Sequence, residues 1–232
     1  MRSRSSRFVL ASAWLLAALG AVPTGAQQPV TPAWFRARLE GRLDKHTLPT
    51  VERIVDSAFA RGIPAEPLVD RALEGAAKGA PGEAIIREVR KLVVDLAIAR
   101  EKLGPQSFAG ELSAAAMALR GGVDPDVLAR LRRERPGQPV SVPLGVLSGL
   151  IANGVPVSTA TESIFALTKN GIADEQLVAF RRDVERDVGM GAAPAAAALL
   201  HASEFSASFA RDQSSGPPTG AGAGAPTGKR RP

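Results

Sequence analysis

The 232-residue chain has no cysteine and only two histidines, His46 and His201, which excludes disulfide scaffolds, zinc–thiolate centres, cysteine nucleophiles and multi-histidine metal sites. Its formal charge of +6, from 29 Lys and Arg against 23 Asp and Glu, invites a nucleic-acid reading. The distribution argues against it: Arg2, Arg4 and Arg7 lie at one end, Lys229, Arg230 and Arg231 at the other, and the body between is near neutral, so no nucleic-acid partner is expected.

The three N-terminal arginines, with no acid among them, lead into an apolar run from Phe8 to Leu19 broken only by Ser12. At about a dozen residues this run is too short to cross a membrane, which takes about 20. Gly20 and Pro23 stop it, and Thr24 and Ala26 place small residues three and one positions before a cut at Gln27. Residues 1–26 are therefore predicted to be a cleaved secretory signal peptide, leaving an exported protein, periplasmic or secreted, with no remaining membrane span. Arg outnumbers Lys 23 to 6 and Ala is abundant, a composition expected of a GC-rich bacterial genome.

From Pro32 to about Arg211 the apolar residues recur at helical spacing, with almost no strand-like alternation. The clearest stripe is Ile85, Ile86, Val89, Leu92, Val93 and Leu96, separated by charged residues, and it needs a partner helix. The expected helices are 33–45, 50–61, 65–78, 82–103, 107–120, 125–134, 142–153, 158–170, 174–188 and 194–210, within a single helical domain spanning 27–213.

One turn recurs five times between them, at Gly62-Ile63-Pro64, Gly79-Ala80-Pro81, Gly122-Val123-Asp124-Pro125, Gly154-Val155-Pro156 and Gly171-Ile172-Ala173-Asp174. Each Gly follows a run ending in Arg, Lys, Asn or a second Gly, and each turn leads into Pro, Asp, Glu or Ser. A left-handed Gly closes a helix, the following Ile or Val packs back on the last turn, and Pro or an acid opens the next helix. Gly62 and Gly79 are 17 residues apart, as are Gly154 and Gly171, and the two pairs are offset by 92. The chain thus contains two related helical hairpins, with a third, weaker copy from Gly121 to Gln138. An all-α array of stacked hairpins and an irregular bundle both fit this spacing.

Five features in the body carry candidate chemistry. Trp34, Phe35, Leu39 and Leu43 form one stripe on the first helix, a core face by default or a membrane-surface contact otherwise. Arg130, Arg132, Arg133 and Arg135 are the densest cationic cluster and the best candidate for binding an anionic envelope polymer, although cations are favoured at a helix C-terminus in any case. The segment 141–150 is almost wholly apolar, with Gly145 and Gly149 four apart, and reads as a buried helix open to close approach. Glu162-Ser163 resembles the Glu-Ser pair of lysozyme-like lytic transglycosylases over two residues, in a chain with no tyrosine. Thr159 and Glu162 also have the spacing of a capping box, the preferred reading. In 181–187, Arg181 meets Glu185 and Asp183 meets Arg186 at helical spacing, giving a salt-bridged surface.

From Ser214 to Pro232 the chain is Ser, Gly, Pro, Ala and Thr before its final basic residues, and is expected to be a disordered tail. Gly220-Ala221-Gly222-Ala223-Gly224-Ala225 and Gly228-Lys229 echo nucleotide-binding fingerprints but lack the flanking strand and helix that such loops need. No cofactor is implied. The sequence points to an exported, non-enzymatic interaction or scaffold module of the cell envelope with a protein or anionic partner; the alternative is an envelope-polymer hydrolase or lyase using Glu162 as its carboxylate.

Overall fold

The computed structural model describes residues 33–214; the expected signal segment 1–26, and the expected tail beyond Ser214, lie outside them. Ten helices occupy the described residues, with no strand among them: α1 Ala33–Leu39, α2 Thr47–Ala60, α3 Ala65–Ala77, α4 Gly82–Leu103, α5 Ala109–Arg120, α6 Pro125–Glu134, α7 Ser141–Ala152, α8 Val157–Lys169, α9 Asp174–Gly189 and α10 Pro194–Ser214. The all-α class read from the periodicity is the class observed.

The recurring turn is a Schellman motif. At Gly62 (φ 77°) the amide donates to the Phe59 carbonyl at 2.8 Å, and the Ile63 amide reaches back to the Ala58 carbonyl at 3.0 Å. These two bonds satisfy carbonyls that the ended helix leaves over, and only a residue at ease with positive φ places both. The same pair of bonds recurs at Gly79, Gly122, Gly154 and Gly171. A sixth occurs at Gly191, where Ala192 and Ala193 hide the pattern from sequence inspection. Ile63, Val123, Val155 and Ile172, each following its Gly, are at most 4% exposed, so these turns also join the core.

The 92-residue offset is structural. Ala65 and Val157 open α3 and α8, Ala77 and Lys169 close them, and Gly82 and Asp174 open α4 and α9, each pair 92 apart. The third copy is truncated: α6 has 10 residues where α3 and α8 have 13, and its left-handed residue is Gly122, since Gly121 stays right-handed at φ −74°.

All substantial contacts between helices join partners one or two apart in the chain. The even-numbered helices α2, α4, α6, α8 and α10 touch in succession, as do α5, α7 and α9, with α1 on α3. This nearest-neighbour packing is that of a stacked array, in which each helix pair buries its apolar face against the next. α4 is the pivot, packing on α2, α3, α5 and α6. It buries Ile85, Val89, Val93, Leu96, Ala99 and Leu103, a helical stripe that includes four residues of the expected face.

Three boundaries depart from expectation by more than two residues, one of them the end of α10, which was expected at 210 and runs to Ser214, the first residue of the expected tail. Helix 33–45 ends at Leu39, because Gly41 turns the chain at φ 68° and Asp44 accepts the amides of His46 and Thr47 at 2.9 and 3.0 Å, starting α2 three residues early. Of the first stripe, Phe35 and Leu39 are buried, Leu43 is partly buried in the turn, and Trp34 is 43% exposed. The apolar segment 141–150 becomes α7, which buries Pro143, Leu144, Val146, Leu147 and Leu150. Gly149 does permit a close approach: a Cβ there would lie 2.7 Å from Cδ of Arg181 on α9. Gly145 faces open space.

Candidate functional site between α6 and α8

α6 opens at Pro125 because Asp124 accepts the Asp126 amide at 2.7 Å and Pro takes the first helical position, where its missing donor costs nothing. α8 opens at Val157, after Gly154 closes α7 and Pro156 takes an extended conformation (φ −54°, ψ 141°). α6 and α8 touch more sparingly than the other successive even-numbered helices, and a groove of about 630 Å³ lies along them. Val127, Val157 and Phe165 give it an apolar floor, while Arg130, Thr161 and Glu162 are among its polar walls.

The structure brings together two residues that the sequence treated as separate candidates. Arg130 from the cationic cluster and Glu162 from the Glu-Ser pair line the same groove. The Arg130 guanidinium sits 3.7 Å over the centroid of the Phe165 ring and pairs with Glu134 at 2.9 Å. Stacking on an aromatic face fixes the guanidinium plane and covers the ring. Glu162 on the groove wall and Lys169 at the end of α8 have no ion-pair partner among the described residues, and the Thr161 hydroxyl, buried at its oxygen, has no hydrogen-bond partner among them.

The rest of the arginine cluster disperses. Arg132 pairs through Nη2 with Glu111 at 2.7 Å and donates from Nη1 to the Gln138 carbonyl at 3.0 Å. Arg135 pairs with Asp174 at 2.7 Å and donates twice to the Gln138 side chain. Arg133 is exposed on the surface. Three of the four arginines therefore tie α6 to its neighbours. The partners that hold them, Glu111 and Asp174, lie 21 and 39 residues away and could not be read from the local pattern.

The capping-box reading of Thr159 and Glu162 is corrected, since α8 begins two residues before Thr159 and Pro156 occupies the N-cap. Glu162 is instead an exposed mid-helix residue, and Ser163 is buried, its hydroxyl without a hydrogen-bond partner among the described residues. The second carboxylate of the groove, Asp124, is engaged at the α6 N-terminus. On the 181–187 surface the expected pairs form, Arg181 with Glu185 at 3.6 Å and Arg186 with Asp183 at 2.5 Å.

Sequence reasoning missed two polar clusters. Glu111 is 2% exposed and accepts the Val140 amide at 2.8 Å besides its bond to Arg132, joining α5, α6 and the start of α7. His201 on α10 lies between Asp187 of α9, at 2.8 Å, and Glu204, at 2.9 Å. Burial depresses the His201 pKa, but its hydrogen bonds to Asp187 and Glu204 and their charges outweigh that, leaving it above the ordinary 6.5. Among the described residues no three His, Asp or Glu gather as metal ligands, and no helix is long and apolar enough to cross a membrane. Neither the models of known protein families, nor the curated proteins, nor the solved structures provide a match to this chain.

Proposed function

We propose that this chain is an exported, non-enzymatic interaction module of the bacterial cell envelope that holds a segment of a partner protein in the α6–α8 groove. The carrying observation is a combination within that groove: an apolar floor around Phe165, with the exposed charges of Glu162 and Lys169 left unpaired by the described residues. Glu162 and Lys169 are two helical turns apart on one side of α8, about 10 Å along the axis. The complementary segment carries an apolar side chain between a basic and an acidic residue. Export rests on the residues before Gln27, and N-terminal sequencing of the protein recovered outside the cytoplasm, expected to begin at Gln27, checks it.

A hydrolytic role for Glu162 has less support, because acid–base work at a sugar bond requires a second positioned carboxylate or water, and Asp124 is engaged as a cap. The test is a photo-crosslinking amino acid at Ala166 in the groove, with the same label at exposed Arg182 as control. A discrete adduct from Ala166, lost in the Glu162→Lys/Lys169→Glu variant, is the expected result. Equal labelling from both positions rejects the groove. Release of soluble fragments from purified envelope polymer that disappears with Glu162→Gln establishes the hydrolytic reading instead.

A further inference from the structure

A second groove, between α2 and α4, gathers four arginines from distant parts of the sequence. Its upper part, a cavity of about 390 Å³, is lined by Arg53, Arg61 and Arg90, with Ile54, Val93 and Val94 between them and no carboxylate in its wall. Arg61 continues into an adjoining cavity of about 400 Å³ that adds Arg100 and a single acid, Glu101.

These arginines are set apart by gathering unpaired along one groove. Arg36, Arg38, Arg71, Arg120, Arg130 and Arg132 are each ion-paired, and Arg42, Arg87, Arg133 and Arg182, which like the four here have no ion-pair partner among the described residues, lie outside this groove. Arg53 donates only to the Pro49 carbonyl and the Thr50 hydroxyl, and Arg61 only to the Ser57 carbonyl, all on their own helix. Arg61 and Arg100 lie near helix C-termini, where the backbone dipole favours a cation, but Arg53 and Arg90 lie mid-helix and have no such reason to be there. The groove is also preorganised. The Arg100 guanidinium rests against the bare face of Gly62, where a Cβ would lie 2.9 Å from Nη2.

We propose that the α2–α4 groove binds an extended phosphate-bearing anion, a chain with several negative groups in series, at a site independent of the α6–α8 groove. Guanidinium forks match phosphate oxygens two at a time, and four of them along one groove favour a chain over a single ion. Arg53 and Arg61 are separated by about 12 Å along α2, and Arg90 and Arg100 by about 15 Å along α4, so the ligand spans a comparable length. The apolar residues between them, including Val94 at 57% exposed, lower the local dielectric and strengthen each contact.

Titration calorimetry on the full chain with linear polyphosphate, tripolyphosphate and orthophosphate, at several salt concentrations, tests this. The expected order is polyphosphate tightest and orthophosphate weakest. Arg53→Gln/Arg90→Gln is expected to weaken polyphosphate binding at least tenfold and to flatten the dependence of log K on log salt by about one per arginine removed. Arg133→Gln/Arg182→Gln, which removes the same charge elsewhere, is expected to change binding less than twofold. The proposal is overturned if the two double variants lose affinity equally, or if Lys229→Gln/Arg230→Gln/Arg231→Gln abolishes binding by itself. It is also overturned if the protein binds vesicles of anionic phospholipid but no soluble polyphosphate. Circular dichroism of each variant confirms that the helices are retained.

Discussion

The guanidinium of Arg132 lies 2.7 Å from the carboxylate of Glu111, and this pair holds three helices at one point. Glu111 is in the first turn of α5, Arg132 is in the last turn of α6, and the second Glu111 oxygen fastens the Val140 amide at the start of α7. Glu111→Ala leaves a largely buried guanidinium without its carboxylate. The expected loss is about 3 kcal/mol, toward the low end for a broken buried pair because Arg132 retains some solvent contact. Glu111→Leu/Arg132→Leu, which removes both charges, is expected to lose clearly less. Urea denaturation followed by circular dichroism measures both, and equal losses would remove the buried pair as the cause.

Two glycines are predicted to respond to alanine with opposite signs. Gly79 has open space where a Cβ would project, so Gly79→Ala reports the left-handed backbone alone, at a cost of about 1–2 kcal/mol. Gly145 lies inside α7 with nothing within 4 Å of the place a methyl group would occupy, and Gly145→Ala is expected to stabilise by about 0.5–1 kcal/mol. Thermal unfolding of the two variants side by side decides the matter; two destabilised proteins would contradict the open space at Gly145.

His201 makes the packing of α10 on α9 sensitive to pH. Its folded pKa is above the ordinary 6.5, so its contribution is complete below that value and is lost as the pH rises through the folded one. Denaturation midpoints are expected to fall as pH is raised above 6.5. In His201→Gln that part of the decline is absent, and an unchanged slope would exclude the Asp187–His201–Glu204 cluster as its source.

Asp44 titrates at the acid end. The Thr47 hydroxyl, followed by the amides of Thr47 and His46, lowers its pKa to about 2, so its contribution is present above 3.8 and lost as pH falls through about 2. Carboxyl carbon NMR is expected to give that midpoint. Thr47→Val removes the largest cause and is expected to move the midpoint back toward 3.8.

The fold was legible in this sequence to the extent that it is local. The Gly-Ile/Val-Pro turns carry their own hydrogen bonds, and seven of the ten helices follow within two residues from them and from the apolar periodicity. The end of α1 was not legible, because a side chain, Asp44, competes with the helix for the amides of His46 and Thr47. The partners of the arginine cluster were hidden for a related reason: adjacency along the chain says nothing about Glu111 or Asp174, which the stacking of distant helices delivers. For the same reason the α2–α4 groove, assembled from residues 53 to 100, has no signature in any single segment.

Because the substantial contacts among the described residues reach only one or two helices along the chain, none of them joins α1 to α10. α1 packs substantially on α3 alone and α10 on α8 and α9, whereas α4 and α7 are gripped from both sides. Amide protons should therefore exchange with solvent in a graded order, fastest at the two ends and slowest in the middle, so that the molecule opens like a fraying rope rather than all at once.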